Sequence, residues 1–492
     1  AGGLAIASVV PGVKAGARKE ALSAPEWMTL LGKSEAGARD YAARVEGEIP
    51  RSLRGVLYRN GPGMFERGAE RRRHLLDGDG LIQRLSIGAQ GARYQNAFVQ
   101  TQKFKDDEHA GRSTHGTWTT RRPGGFLKNL GGNVVSQGGV TVYPVNGRLL
   151  ARDETGPNYD IDLENLSTRG HFTPVEGLEG VNFKAHSRID PHTGDWLMVG
   201  QKYGRNMQIH AAAIGPDFKT RKQYSFETDR QVYLHDFFVT ESAFVFVLHP
   251  CEFSPFAFLA GTQSFVDSLS WNPAAGNLVA VLPRDGSPVT FLEAPSAFMW
   301  HGLNAFEQKN ALVLDFVGFD EPDHFIGEDA LFFRLMDGKL GRAEQPGTLH
   351  RYTIDTHART LREDILDSGN HEFPIIDPRT AMRQHRHGFY AVGGSGPLNS
   401  GVKRFDYKTG QSHTFDFGPS VHVGEPVFAP NFDGALDEGW LISQCLDGVS
   451  KTSFFAVFDA QTVDSGPVAK IWLPHHVPIS FHGAWVPAPS TS

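Results

Sequence analysis

The chain has 492 residues, 40% of them hydrophobic, with a formal net charge of −7 and a pI near 6.3. This composition supplies a large core and leaves no electrostatic case for nucleic-acid binding. Cys251 and Cys445 stand far apart, outside any CxxC or other ligand spacing, so two free thiols are expected, with one long-range disulfide as the alternative.

Residues 1–24 start at Ala1 and continue Gly-Gly-Leu-Ala-Ile-Ala-Ser-Val-Val-Pro-Gly. This reads either as the remnant of an export signal or as a disordered Ala/Gly tail. Localisation is left between export and the cytoplasm or a membrane surface. Residues 25–490 read as a single domain. Helical pattern is confined to residues 24–32 and 35–44. Arg71, Arg72 and Arg73 form a short basic cluster, expected as a solvated turn or a few ion pairs.

Beyond Gly55 the chain is short apolar runs separated by turns. Runs at 195–199, 243–248, 278–282, 311–317, 454–458 and 469–473 have the Val, Phe and Ile content of strands. A turn phrase recurs between them: Asp190-Pro-His-Thr-Gly, Asp355-Thr-His-Ala-Arg-Thr, Asp406-Tyr-Lys-Thr-Gly and Asp459-Ala-Gln-Thr. Asp caps its own turn and Gly accepts positive φ, so these are expected hairpin tips. The fold class is all-β: a propeller with long inserted loops, with stacked β-sandwiches as the competing architecture. No stretch reaches the about 18–20 apolar residues needed to span a bilayer. The longest candidate, 253–266, is broken by Pro255 and Gly261.

Four of the 21 histidines share a context. His186 lies in Phe-Lys-Ala-His-Ser-Arg, His235 in Tyr-Leu-His-Asp-Phe-Phe, His301 in Met-Trp-His-Gly-Leu-Asn and His482 in Ser-Phe-His-Gly-Ala-Trp. Each is in or beside an apolar, strand-like run, where an imidazole is costly to bury without partners. No local motif such as HExxH joins them, but strands of different blades can aim side chains at one axis. Four neutral imidazoles suit iron, zinc, copper or nickel. A metal-bound imidazole needs an acceptor for its far N–H, and Glu154, Glu372 and Glu425 stand in matching apolar or Gly/Pro surroundings.

Together these features resemble the carotenoid cleavage oxygenases over about residues 45–487. The resemblance rests also on Gly-Glu-Ile-Pro-Arg-Ser-Leu-Arg-Gly-Val-Leu-Tyr-Arg-Asn-Gly-Pro-Gly at 47–63 and His-Leu-Leu-Asp-Gly-Asp-Gly-Leu at 74–81. It implies a seven-bladed β-propeller with a loop-and-helix dome over one face. It also implies one Fe(II) per chain on His186, His235, His301 and His482, with Glu154, Glu372 and Glu425 bonded to three of them. The implied reaction splits a C=C bond with O2 into two carbonyl products. Zinc, which has no redox chemistry, could not do this.

Such chemistry asks the protein to hold an apolar alkene near the metal and to exclude water. Phe237, Phe238, Trp300, Phe306, Phe373 and Phe481 flank ligands and are the candidate tunnel lining. Val140 matches a position where some relatives carry a threonine whose methyl crowds the sixth iron position. Stilbene-cleaving relatives carry a lysine directly before the first glutamate. Here that residue is Asp153, which would repel a phenolate. The expected substrate is therefore a linear apocarotenoid or similar polyene. Stilbene cleavage, a metal-dependent isomerase or hydrolase, and a non-catalytic ligand-binding propeller are the alternatives. Apolar residues at 124–131 and 253–266 suggest peripheral contact with a membrane surface.

Overall fold

The structure, a computed structural model, describes residues 22–132, 134–173, 175–178 and 180–489. The expectation for residues 1–24 falls almost wholly outside the described residues.

Antiparallel strands dominate. Five four-stranded sheets follow one another along the chain. Their first strands are Thr141–Val145, Asn182–Ile189, Phe238–Val239, Gly302–Gln308 and His371–Ile375. A nine-stranded sheet takes in both ends of the described chain, with Val421–Pro430 at one edge and His482–Pro487 at the other. Arg39–Gly47 stitches it together: Arg39 to Ala43 pair with Gly91–Phe98, and Arg44 to Gly47 pair with Ala469–Trp472. The arrangement is propeller-like: the first strand of each four-stranded sheet and both edge strands of the nine-stranded sheet face a central channel, through Val142, His186, Phe238, Leu303, Ile375, Val427 and Ala484.

Strand burial explains the sequence pattern. All six residues of Ala243–Leu248 are buried because the strand is covered on both faces. Phe244, Phe246 and Leu248 pack with Leu197, Val199 and Ile209 of the preceding sheet. Val245 and Val247 pack with Leu314, Phe316 and Tyr352 of the following one. Period-two alternation thus hides inside an apolar run, and each such side chain contributes about 1.5–3 kcal/mol. Outer strands such as Thr220–Thr228 are largely exposed instead.

The hairpin tips form as expected. Asp190, Asp355, Asp406 and Asp459 each accept a backbone N–H two residues on through Oδ1, at 2.7–2.9 Å. Gly194 and Gly410 take φ of 73° and 72°. Arg72 pairs with Asp107 at 3.1 Å, and Arg71 and Arg73 pair with Glu66 and Asp267. Cys251 and Cys445 are free and buried.

One helix expectation is met and one needs correction. Residues 24–32 hold a short helix, Glu26–Thr29, continued by a 3-10 turn, Leu30–Gly32. Residues 35–44 contribute instead to the strand Arg39–Gly47, whose half-exposed alternation and pairing to a different neighbour along each half suit a strand joining two sheet halves. A helix the sequence reading lacked, Gln102–Ala110, is capped by Thr101 Oγ1, which accepts the Phe104 N–H at 2.9 Å, and ends on Gly111 at φ 60°. No described helix is long and apolar enough to cross a membrane.

Candidate metal centre

The site residues sit where the ladders break. Register shifts fall between Phe183 and Ser187 around His186, and between Gly302 and Asn304 beside His301. Others fall between Glu372 and Ile375, and between Val423 and Pro426 around Glu425. Such breaks bend a strand and re-aim its side chains, here toward the axis. Phe373 follows Glu372 with φ 51°, a left-handed conformation costing about 1–3 kcal/mol for a non-glycine residue. Its ring stacks on His301 at 5.4 Å.

All four histidines are buried, and their ligating nitrogens lie within 4.8 Å of one another. Nε2 of His186 is 3.0 Å from Nε2 of His235, and Nε2 of His301 is 3.1 Å from Nε2 of His482. The far nitrogens face carboxylates. His301 Nδ1 donates to Glu372 Oε2 at 2.7 Å, and His482 Nδ1 donates to Glu425 Oε1 at 2.9 Å. His235 Nδ1 lies 2.9 Å from Glu154 Oε1 and 3.1 Å from the Tyr233 hydroxyl. Among the described residues His186 has no carboxylate partner.

This pattern has a chemical consequence. A proton on Nδ1 leaves a lone pair on Nε2, so the converging nitrogens are acceptors that repel one another unless a cation lies among them. Neighbouring nitrogens about 3 Å apart match ligands about 2.0–2.1 Å from a common ion. Burial, reinforced by His482, His235 and His301, pushes the His186 ring well below the usual histidine range, which keeps it neutral. Burial alone would raise Glu154, but Lys184 and His235 outweigh it and hold the carboxyl at about 2. The residues present fit one divalent first-row metal, and the donor set by itself does not choose which.

Two buried clamps hold the ligand segments together. Asp236 accepts the Gly302 N–H at 3.0 Å and the Phe237 N–H at 2.8 Å, and both its oxygens lie 2.8 Å from Arg188 Nη2. It thereby ties together the chain beside His186, His235 and His301. Arg59, fully buried, donates to the carbonyls of Glu425 and Phe481 and to Ser480 Oγ, fixing the Glu425 and His482 segments.

A narrow cavity of about 50 Å³ reaches His235, His301 and His482. Leu76, Trp118, Val140, Trp300, Phe332, Phe373, Pro397 and Phe481 form its remaining wall with Glu372. Trp300 lies edge-on to His235 at 4.9 Å, and its indole N–H donates to His324 Nε2 at 2.7 Å, away from the apolar space.

The sequence profile of the family described as retinal pigment epithelial membrane protein (RPE65) matches residues 33–487. The chain belongs to the RPE65/carotenoid oxygenase family. The apocarotenoid-15,15'-oxygenase of Synechocystis sp. is 28% identical over 459 residues, covering 90% of this chain and 92% of that one. The resveratrol cleavage oxygenase 1 of Aspergillus fumigatus is 27% identical, covering 90% and 91%. Among solved structures, a cobalt-substituted Synechocystis ACO superposes with a TM-score of 0.88 at 26% identity, covering 94% of this chain and 99% of that one.

In this carotenoid oxygenase the seven site positions converge: four histidines at the centre and three glutamates behind them. Of the aromatic candidates, Trp300, Phe373 and Phe481 line the cavity, as does Val140. Phe238 instead faces the central channel. Phe237 packs against Phe244 and Phe246 between sheets, and Phe306 packs edge-on to His385. Neither belongs to the cavity wall, because proximity to a ligand in sequence does not fix the face a side chain takes. Asp153 is buried away from the cavity. Its carboxylate accepts the N–H groups of Gln137, Gly138 and Glu154, so it anchors a turn and does not line the cavity. Leu76, Trp118, Phe332, Pro397, Lys184, Arg188 and Asp236 were not singled out from the sequence.

Proposed function

We propose that this protein is a non-haem Fe(II) dioxygenase that cleaves one C=C bond of a linear, apocarotenoid-like polyene with O2 into two carbonyl products. The observation that carries this reading is the almost wholly apolar cavity that ends on three of the four histidines. His186, His235, His301 and His482 would hold one iron per chain, with Glu154, Glu372 and Glu425 orienting three of the rings. Ferrous iron, when bound, supplies the redox chemistry that lets O2 react with an alkene. The chain's own part is positioning and exclusion. Trp118, Trp300, Phe332, Phe373 and Phe481 offer flat apolar surfaces to a conjugated chain and keep water out. Among the described residues no lysine or tyrosine lines the cavity to bind a phenol. This favours the polyene over a stilbene, although resveratrol- and lignostilbene-cleaving relatives exist.

The nine-stranded sheet is read as two blades joined edge to edge, giving seven with the five four-stranded sheets. The loops and short helices around Leu75, Trp118, Phe325, Phe332 and Leu335 are read as the dome over the site.

The assay is direct. Iron-loaded protein with an apocarotenal under O2 is expected to yield two carbonyl fragments by mass spectrometry and to consume oxygen. Turnover of a hydroxystilbene alone would overturn the substrate, and product without oxygen uptake would point to an isomerase or hydrolase.

Peripheral membrane contact is part of the same reading. Phe126, Leu127, Leu130, Phe256 and Leu259 are 50–83% exposed on two adjoining short helical segments. The Gly131 N–H donates to the Leu259 carbonyl at 2.8 Å, which holds the segments together. Arg121, Arg122 and Lys128 flank the patch in sequence, as suits a lipid surface. Leu127→Glu combined with Phe256→Glu is expected to abolish co-sedimentation with anionic phosphatidylcholine/phosphatidylserine vesicles while turnover of detergent-dispersed substrate persists. Unchanged sedimentation would rule the patch out.

A further inference from the structure

The three glutamates behind the histidines are not equivalent. Glu372 accepts from His301 and from the Phe373 N–H, and among the described residues it has no lysine or arginine partner. Glu425 accepts from His482 and from the Gly483 N–H at 2.7 Å, with Arg59 Nη1 no closer than 3.9 Å. Glu154 alone gives one oxygen to a buried ammonium: Oε2 lies 2.8 Å from Lys184 Nζ, while Oε1 faces His235 Nδ1 at 2.9 Å.

Lys184 is placed for this by the chain itself. It sits two residues before His186, inside the stretch where Asn182–Ile189 leaves its partner strand. The side chain is 6% exposed, and the ammonium lies over the Tyr233 ring at 5.2 Å. Its carbonyl accepts from Arg152 Nη2 at 2.5 Å, which fixes the backbone. A lysine buried this deeply is costly unless its charge is matched, and Glu154 is the match.

We infer that Lys184 is a positioning residue that draws the charge of Glu154 away from His235, making His235 a weaker donor than His301 and His482 and lowering the affinity of the site for a divalent metal. Two effects act in the same direction. A fixed positive charge near the centre opposes a dication. The ammonium also compensates Glu154 before any metal arrives, so metal binding gains less from that carboxylate.

The inference rests on the reading of the four histidines as a metal site and is independent of the substrate. Apo-protein would be titrated with Co(II) against a competing chelator, with visible absorption recorded on wild type, Lys184→Met and Lys184→Gln. Both variants are expected to bind Co(II) on the order of tenfold more tightly, with a shifted ligand-field band. Lys184→Arg should stay near wild type. In a Glu154→Gln background, Lys184→Met should have less effect, because only the direct repulsion remains once the lysine has no carboxylate to act through. Unchanged or weaker Co(II) binding in the folded variants would overturn the inference, as would an equal effect in the Glu154→Gln background or failure of both variants to fold. Failure of wild type to bind Co(II) would instead overturn the metal site itself.

Discussion

His301→Ala is expected to lose the bound metal and activity together while the sheets stay folded. The substitution removes one converging nitrogen and strands the Glu372 carboxylate, 1% exposed, without the Nδ1–H it holds at 2.7 Å. Leaving that acceptor unpaired should cost about 1–3 kcal/mol of stability, well short of unfolding a domain of this size. Loss of the metal removes several kcal/mol of catalytic stabilisation, so turnover should fall by about a thousandfold or more. Metal analysis of desalted protein, circular dichroism and product assay on one preparation separate these effects. A variant that keeps its metal and its rate would remove His301 from the centre.

Glu372→Gln is expected to weaken metal binding by about 10–100-fold with little change in fold, as such outer partners of metal-bound histidines usually do. The amide oxygen can still accept the His301 Nδ1–H, so ring orientation survives while the negative charge is lost. Burial alone would raise the Glu372 carboxyl, but His301 and the Phe373 N–H outweigh it and hold it below the usual range, so the ionised form is the one replaced. Glu154→Gln should cost less, because Lys184 already shares that carboxylate at 2.8 Å. Chelator competition on both variants tests the order. Equal losses would mean that the two glutamates serve the metal alike.

The same contrast shows what the sequence could and could not convey. The seven site positions were legible because each stands in a short apolar run next to glycine, proline or a polar residue, and those runs became channel-facing strands or the turns leading into them. The turn phrases at Asp190, Asp355, Asp406 and Asp459 were legible because an aspartate capping its own hairpin needs no tertiary partner. Residues 35–44 misled because their spacing allows a helix, while the structure uses Arg39–Gly47 to join distant parts of the chain through Ala469–Trp472. Pairing partners that remote leave no local trace.

Which aromatic faces the substrate was only partly legible. Trp300 and Phe481 each directly precede a ligand and line the cavity, whereas Phe237, two residues after His235, turns into the packing between sheets. Side-chain parity works only within a regular strand, and His235 lies in irregular chain before Phe238–Val239. Leu76, Trp118, Phe332 and Pro397 come from loops and short helices whose placement depends on the whole fold. Lys184 was in plain view beside His186. Its meaning depends on Glu154, thirty positions away in the loop between the strands Arg148–Arg152 and Asn158–Ile161.

X-ray absorption at the iron edge of the Fe(II)-loaded protein tests the central claim most directly. Four imidazole scatterers with no sulfur and no directly bound glutamate carboxylate are expected. Fewer than four imidazoles, or a protein glutamate in direct contact with the iron, would contradict it.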